Sequence, residues 1–67
     1  MIETGKQTIE AIKDIKRRTK WSNSRVAEKT GLSRPTIIRL LAGENEPSLS
    51  TMSIIEKELK RVRRVHR

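Results

Sequence analysis

Sixty-seven residues give room for one domain, and a chain of that length buries only about 60% of the surface it exposes when unfolded, so an enclosed reaction chamber has little space. Sixteen Lys and Arg against eight Asp and Glu set a formal net charge of +8, an excess that concentrates polyanions around the chain. The absence of cysteine removes disulfides, thiolate metal sites and cysteine nucleophiles, and is consistent with a reducing, cytoplasmic setting.

Nucleic acid is the first candidate polyanion, with an anionic membrane surface a weaker second. No apolar run approaches the roughly 20 residues needed to span a bilayer, so no membrane is expected as partner. The opening Met-Ile-Glu-Thr-Gly-Lys is acidic and polar and does not read as a signal peptide. The apolar residues are almost all aliphatic, with Trp21 the lone aromatic. That composition suits a bundle of short helices.

Residues 3–20 place Ile9, Ile12, Ile15 or Lys16, and Thr19 at helical spacing. Lys13, Arg17 and Lys20 fall toward the wet side. Ser22 is a plausible N-cap for a short helix over residues 23–30, and Gly31 stands where a helix end often needs a positive φ. Leu32 follows, and Ser33 can cap the next helix. Pro35 lies in that helix's first turn, where its missing amide proton costs nothing. The helix continues through Leu41 and ends near Ala42 and Gly43. Residues 44–47 read as a polar loop closed by Pro47. Ser48 or Ser50 then caps a fourth helix carrying Leu49, Met52, Ile55, Leu59 and Val62 on one face.

Two short helices joined at a single glycine form a specific pattern. Val26, Leu32, Ile37 and Leu40 sit where crossing helices bury aliphatic chains, Ala27 sits at the crossing itself, and Gly31 supplies the turn. On these residues the segment 23–42 resembles the helix-turn-helix of phage Cro and CI-type (XRE-type) regulators. The likeness runs from about residue 8 to residue 59, including the segment 43–49 that joins the third and fourth helices. It implies an all-α fold of four or five helices like that of the lambda repressor. With the length, it makes residues 1–67 a single DNA-binding domain, and the composition adds a basic C-terminal segment at 57–67. The partner implied is double-stranded operator DNA, bound by a homodimer whose third helix enters the major groove.

The face of that helix follows independently from burial. With Ile37, Leu40 and Leu41 inward, Arg34, Pro35, Ile38 and Arg39 point outward. A cation such as Arg34 at a helix N-terminus opposes the macrodipole at a cost of up to about 1 kcal/mol, a cost offset where it meets an anion or a guanine edge. Arg pairs bidentately with guanine, worth about 1–3 kcal/mol of discrimination. Arg34, Pro35, Thr36, Ile38 and Arg39 are therefore the candidate base-contacting residues, with Ile38 suited to a thymine methyl and Thr36 to a base or a phosphate. The plain alternatives are a solvated surface for the two arginines and core burial for Ile38. Ser22, Asn23, Ser33 and Asn45 are the candidate phosphate contacts. Asn23 stands at the position where relatives usually carry Gln.

Several departures from the family pattern are visible. An Arg on the first helix often pairs with a Glu at the end of the third, and here those positions are Lys16 and Leu41. The loop holds Glu44 and Glu46 where relatives often have basic residues, and no fifth helix is evident. Trp21 reads as a core plug. The tail from Lys60 permits a helical extension with Leu59, Val62 and Val65 or His66 on one face, an intersubunit strand, a phosphate-neutralising arm, or a disordered end. The lone terminal His66 offers no metal or catalytic role, the hydroxyl residues lack a His–carboxylate partner set, and no phosphate-cradling glycine loop occurs. No enzyme activity, cofactor, metal or small-molecule ligand is expected. The function expected is a Cro-like phage or prophage repressor. The alternatives are a nonspecific or architectural DNA-binding protein, an excision cofactor, or an antitoxin-like interaction module.

Overall fold

The computed structural model describes residues 2–44 and 46–65. Four helices follow one another: α1 (Gly5–Thr19), α2 (Asn23–Thr30), α3 (Arg34–Ala42) and α4 (Leu49–Val65). The all-α expectation holds, with no strand and no fifth helix among the described residues.

Each helix start is fixed by a local side chain. Thr4 and Gln7 form a reciprocal capping box at α1, in which Gln7 N donates to Thr4 Oγ1 at 3.1 Å and Gln7 Oε1 accepts from Thr4 N at 3.2 Å. Ser22 Oγ accepts from Arg25 N and Ser33 Oγ from Thr36 N, both at 3.2 Å. Of the two serines available at α4, Ser48 does the capping, its Oγ accepting from Thr51 N at 3.1 Å. Each such bond satisfies an amide that the helix cannot, and is worth about 1 kcal/mol.

Helix ends follow the same local chemistry. Gly31 and Gly43 take left-handed φ values of 78° and 73°, which a residue without Cβ adopts freely. Lys20, expected as the last helical residue of α1, instead caps it from the left-handed region at φ 65°. The first helix accordingly spans less than residues 3–20.

Most of the core is the aliphatic set anticipated from spacing, but Ala11 joins it and Ile9 and Met52, expected on the apolar faces, are only half-buried. Ile12, Ile15, Val26, Ile37 and Ile55 are fully buried, with Ala11, Ala27, Leu40, Leu59 and Val62 nearly so. Ile2, Trp21, Leu32 and Leu41 pack against it from the edge. Ala27 lies almost fully buried within the α2–α3 pair, where its small side chain permits close approach. α1 packs mainly on α4 and α2 mainly on α3, so the α2–α3 pair is backed by the other two helices.

Leu49 departs from expectation. Its spacing assigned it to the buried face of α4, yet it is 82% exposed. As the first residue of the helix it stands ahead of the stretch that meets the core, whose first fully buried member on α4 is Ile55. The tail takes the helical form: α4 runs unbroken to Val65, burying Leu59 and Val62 but leaving Val65 exposed. His66 lies outside the described residues.

Candidate nucleic-acid interface

α3 is short, and its two faces are sharply divided. Ile37 is fully buried and Leu40 nearly so, while Arg34, Pro35 and Arg39 are exposed and Ile38 is 40% exposed. Residues four apart stack on one side of a helix, so Arg34 lies with Ile38 and Pro35 with Arg39. The two ridges are adjacent and form a single outward surface. Arg34 and Pro35 occupy the first turn. Arg34 and Arg39 have no ion-pair partner among the described residues, so both guanidinium groups stand available.

Thr36 sits lower, half-buried, and its Oγ1 shares a hydrogen bond with Ser33 Oγ at 2.7 Å. Because Ser33 Oγ also receives Thr36 N–H, the two hydroxyls form a closed cap at the head of α3. Thr36 and Arg39 also line a shallow cleft with Pro47, Ser48 and Thr51, which joins α3 to the start of α4. Glu46 lines it as well. Its carboxylate is directed to Gly5 at the head of α1, where a Cβ would meet Glu46 Oε2 at 3.5 Å.

The start of α2 carries a contact that sequence reasoning did not anticipate. Lys16 Nζ on α1 donates to Asn23 Oδ1 at 2.6 Å. The position that lacks the family's usual ion pair thus grips the first residue of α2 instead. With Oδ1 held by the ammonium, the Asn23 amide directs its two N–H donors elsewhere. Ser22, exposed, and Asn23, half-buried, stand side by side at this helix N-terminus, where the positive end of the helix dipole favours an anion. Ser33, exposed, stands at the head of α3. Asn45 lies outside the described residues.

A second feature absent from the sequence reading is Asp14. It is 8% exposed and accepts from Arg17 Nη2 at 2.9 Å, Arg18 Nε at 3.0 Å and Arg63 Nη2 at 3.3 Å. Burial alone would raise its pKa, but hydrogen bonds from Arg18 and Arg17, the Arg18 charge and the Arg63 bond outweigh this and hold the carboxyl below its ordinary value. The Arg63 bond joins the far end of α4 to α1. The i, i+3 and i, i+4 spacing to Arg17 and Arg18 is visible in the sequence; the Arg63 partner, 49 residues away, is not.

Among the described residues there is no group of His, Cys, Asp and Glu able to hold a metal ion, and no helix long and apolar enough to cross a membrane. What the arrangement offers is an exposed helix with two free guanidinium groups, beside a second helix that starts at exposed Ser22 and half-buried Asn23. This defines a helix-turn-helix DNA-binding domain, of the all-α lambda-repressor-like type. The helix-turn-helix family model matches residues 12–64, and the chain belongs to that family, whose members of the XRE type are transcriptional regulators binding double-stranded DNA sequence-specifically. No curated protein and no solved structure matches the chain.

Proposed function

We propose that this protein is a Cro-like phage or prophage repressor that reads an operator through the major groove with α3 and acts without enzymatic chemistry. The observation that carries the reading is the division of α3, which exposes Arg34, Pro35, Ile38 and Arg39 while Ile37 and Leu40 are buried. In this reading Arg34 and Arg39 pair with guanine edges, Ile38 packs on a thymine methyl, and Pro35 and Thr36 shape the contact at the helix head. Ser22, Asn23, Ser33 and Asn45 hold phosphates that fix register.

Two copies bind as a symmetric dimer, with half-sites about 34 Å apart on one face of the duplex. Occupancy of a promoter by such a dimer blocks polymerase. Leu49, exposed one residue after Ser48, is an aliphatic side chain free to meet a second copy near the recognition helix. The test is selection from random DNA duplexes at about physiological salt, where nonspecific affinity is weak. Enrichment of an inverted repeat with guanines at fixed positions is the expected result. A single half-site would remove the dimer, and no enrichment despite tight binding at low salt would overturn operator reading.

A further inference from the structure

Two of the grooves along α4 differ in charge. The groove between α1 and α4 sets its four cations against three carboxylates, Glu10, Asp14 and Glu56. The groove between α2 and α4 is lined by Lys29 from one side and Lys57, Lys60, Arg61 and Arg64 from the other. Its one carboxylate, Glu58, is 8% exposed and already accepts from Arg61 Nη2 at 3.3 Å. The nearby Glu28 is held by Arg25 at 2.8 Å. Lys29, Lys57 and Arg64 make no ion pair among the described residues. Cations at the end of α4 complement its dipole, and Lys29, in the last turn of α2, complements that helix's dipole and lies over the Trp21 ring at 5.8 Å from its centroid; Lys57, in the middle of α4, has no such role.

Lys57, Arg61 and Arg64 form one row, with rises of about 6 and 4.5 Å at 1.5 Å per residue. Such a row of cations suits the repeating negative charge of a sugar–phosphate backbone, which carries one phosphate per nucleotide on each strand. Protein partners are held chiefly by apolar or aromatic anchors; this groove offers half-buried Ile54, and Trp21, Val62 and Val65 line the adjoining hollow that shares Lys29 and Arg61 with it, so an acidic protein is the competing occupant that the test separates. No residue of α3 lines the groove. The end of α4 that meets the recognition surface is Ser48 and Thr51, and Arg64 lies about 20 Å further along the helix, in a molecule whose longest extent is 29 Å.

We infer that the α2–α4 groove is a second DNA site, taking the sugar–phosphate backbone of duplex DNA outside the stretch that α3 reads. That backbone comes from the flank of the same duplex or from a second duplex. The inference rests on DNA binding and not on the identity of an operator or on dimerisation.

The test compares the full chain with the triple variant Lys29→Gln, Lys57→Gln, Arg64→Gln, which spares the Arg61–Glu58 pair and every α3 residue. Affinity is measured against salt on a duplex cut to the selected site and on the same site with long flanks. On the short duplex both proteins have the same slope. On the long duplex the variant's slope is smaller by about 2.7, three contacts at about 0.9 each, so a fourfold rise in salt weakens the unmodified protein about 40-fold more. If the difference appears instead when beads carrying the short duplex capture a second, labelled duplex, the source is a separate DNA segment. Equal slopes throughout with no capture difference would overturn the inference and leave the groove to an acidic protein. A slope difference already present on the short duplex would also overturn it, placing the three cations inside the recognised stretch. If selection yields no site, the same length comparison on arbitrary duplexes still decides the groove.

Discussion

Arg39→Ala isolates the base-reading role of α3 from its folding role. The Arg39 side chain is exposed and makes no ion pair or hydrogen bond among the described residues, while its backbone carbonyl accepts from Gly43 N and from Glu44 N at 3.1 Å. Alanine keeps those backbone bonds and is the better helix former. Stability therefore changes by less than about 0.5 kcal/mol, as for surface positions generally. Any loss appears in DNA binding. A bidentate Arg–guanine pair is worth about 1–3 kcal/mol of discrimination, a factor of about 5 to 150 between the right base and a wrong one. The assay is affinity for the selected site and for each single-base variant of it, at one fixed salt concentration. The expected result is that one guanine position per half-site loses its preference while other positions keep theirs. Equal weakening on every sequence, with a salt slope lower by about 0.9, would refute the reasoning and make Arg39 a phosphate contact. A fall in thermal stability would refute the claim that its side chain has no structural role.

Three further outcomes are expected. Asp14→Asn removes the carboxylate shared by Arg17, Arg18 and Arg63; because Arg17 and Arg63 are largely exposed, the loss at neutral pH is about 1 kcal/mol, a drop in Tm of about 4–8 °C. The folded carboxyl titrates below its unfolded value of about 3.9, so its contribution is full above that pH and is lost as pH falls through the folded value. The Tm gap between the two proteins must therefore close in strong acid, and a gap independent of pH would contradict the charge argument. Gly31→Ala meets nothing within 4 Å of the new Cβ, so its cost is the left-handed backbone alone, about 1–2 kcal/mol by denaturant unfolding. A loss above about 3 kcal/mol would mean a clash that the structure does not contain. Lys16→Met and Asn23→Ala should each weaken DNA binding by about 1 kcal/mol, with the double variant no weaker than the worse single one. Additive losses would show that Lys16 does not act through Asn23.

Local chemistry was legible in the residues themselves. Caps at Ser22 and Ser33, the turn at Gly31 and the proline at the head of α3 depend on neighbours three or four positions away, so the order of residues is enough to place them. The divided face of α3 follows for the same reason, because helical period alone sets Ile37 against Arg34 and Ile38. Tertiary packing decided the rest. Leu49 has the spacing of a core residue but nothing to pack on at the start of its helix. The basic tail was compatible with a strand, an arm or a helix until Leu59 and Val62 were buried against the core and Arg63 reached Asp14. Lys16 and Asn23 are seven positions apart and on different helices, and they meet because α1 turns back at Lys20. Periodicity states which side of a helix is apolar; only the packed chain determines how far along the helix a partner is present to cover it.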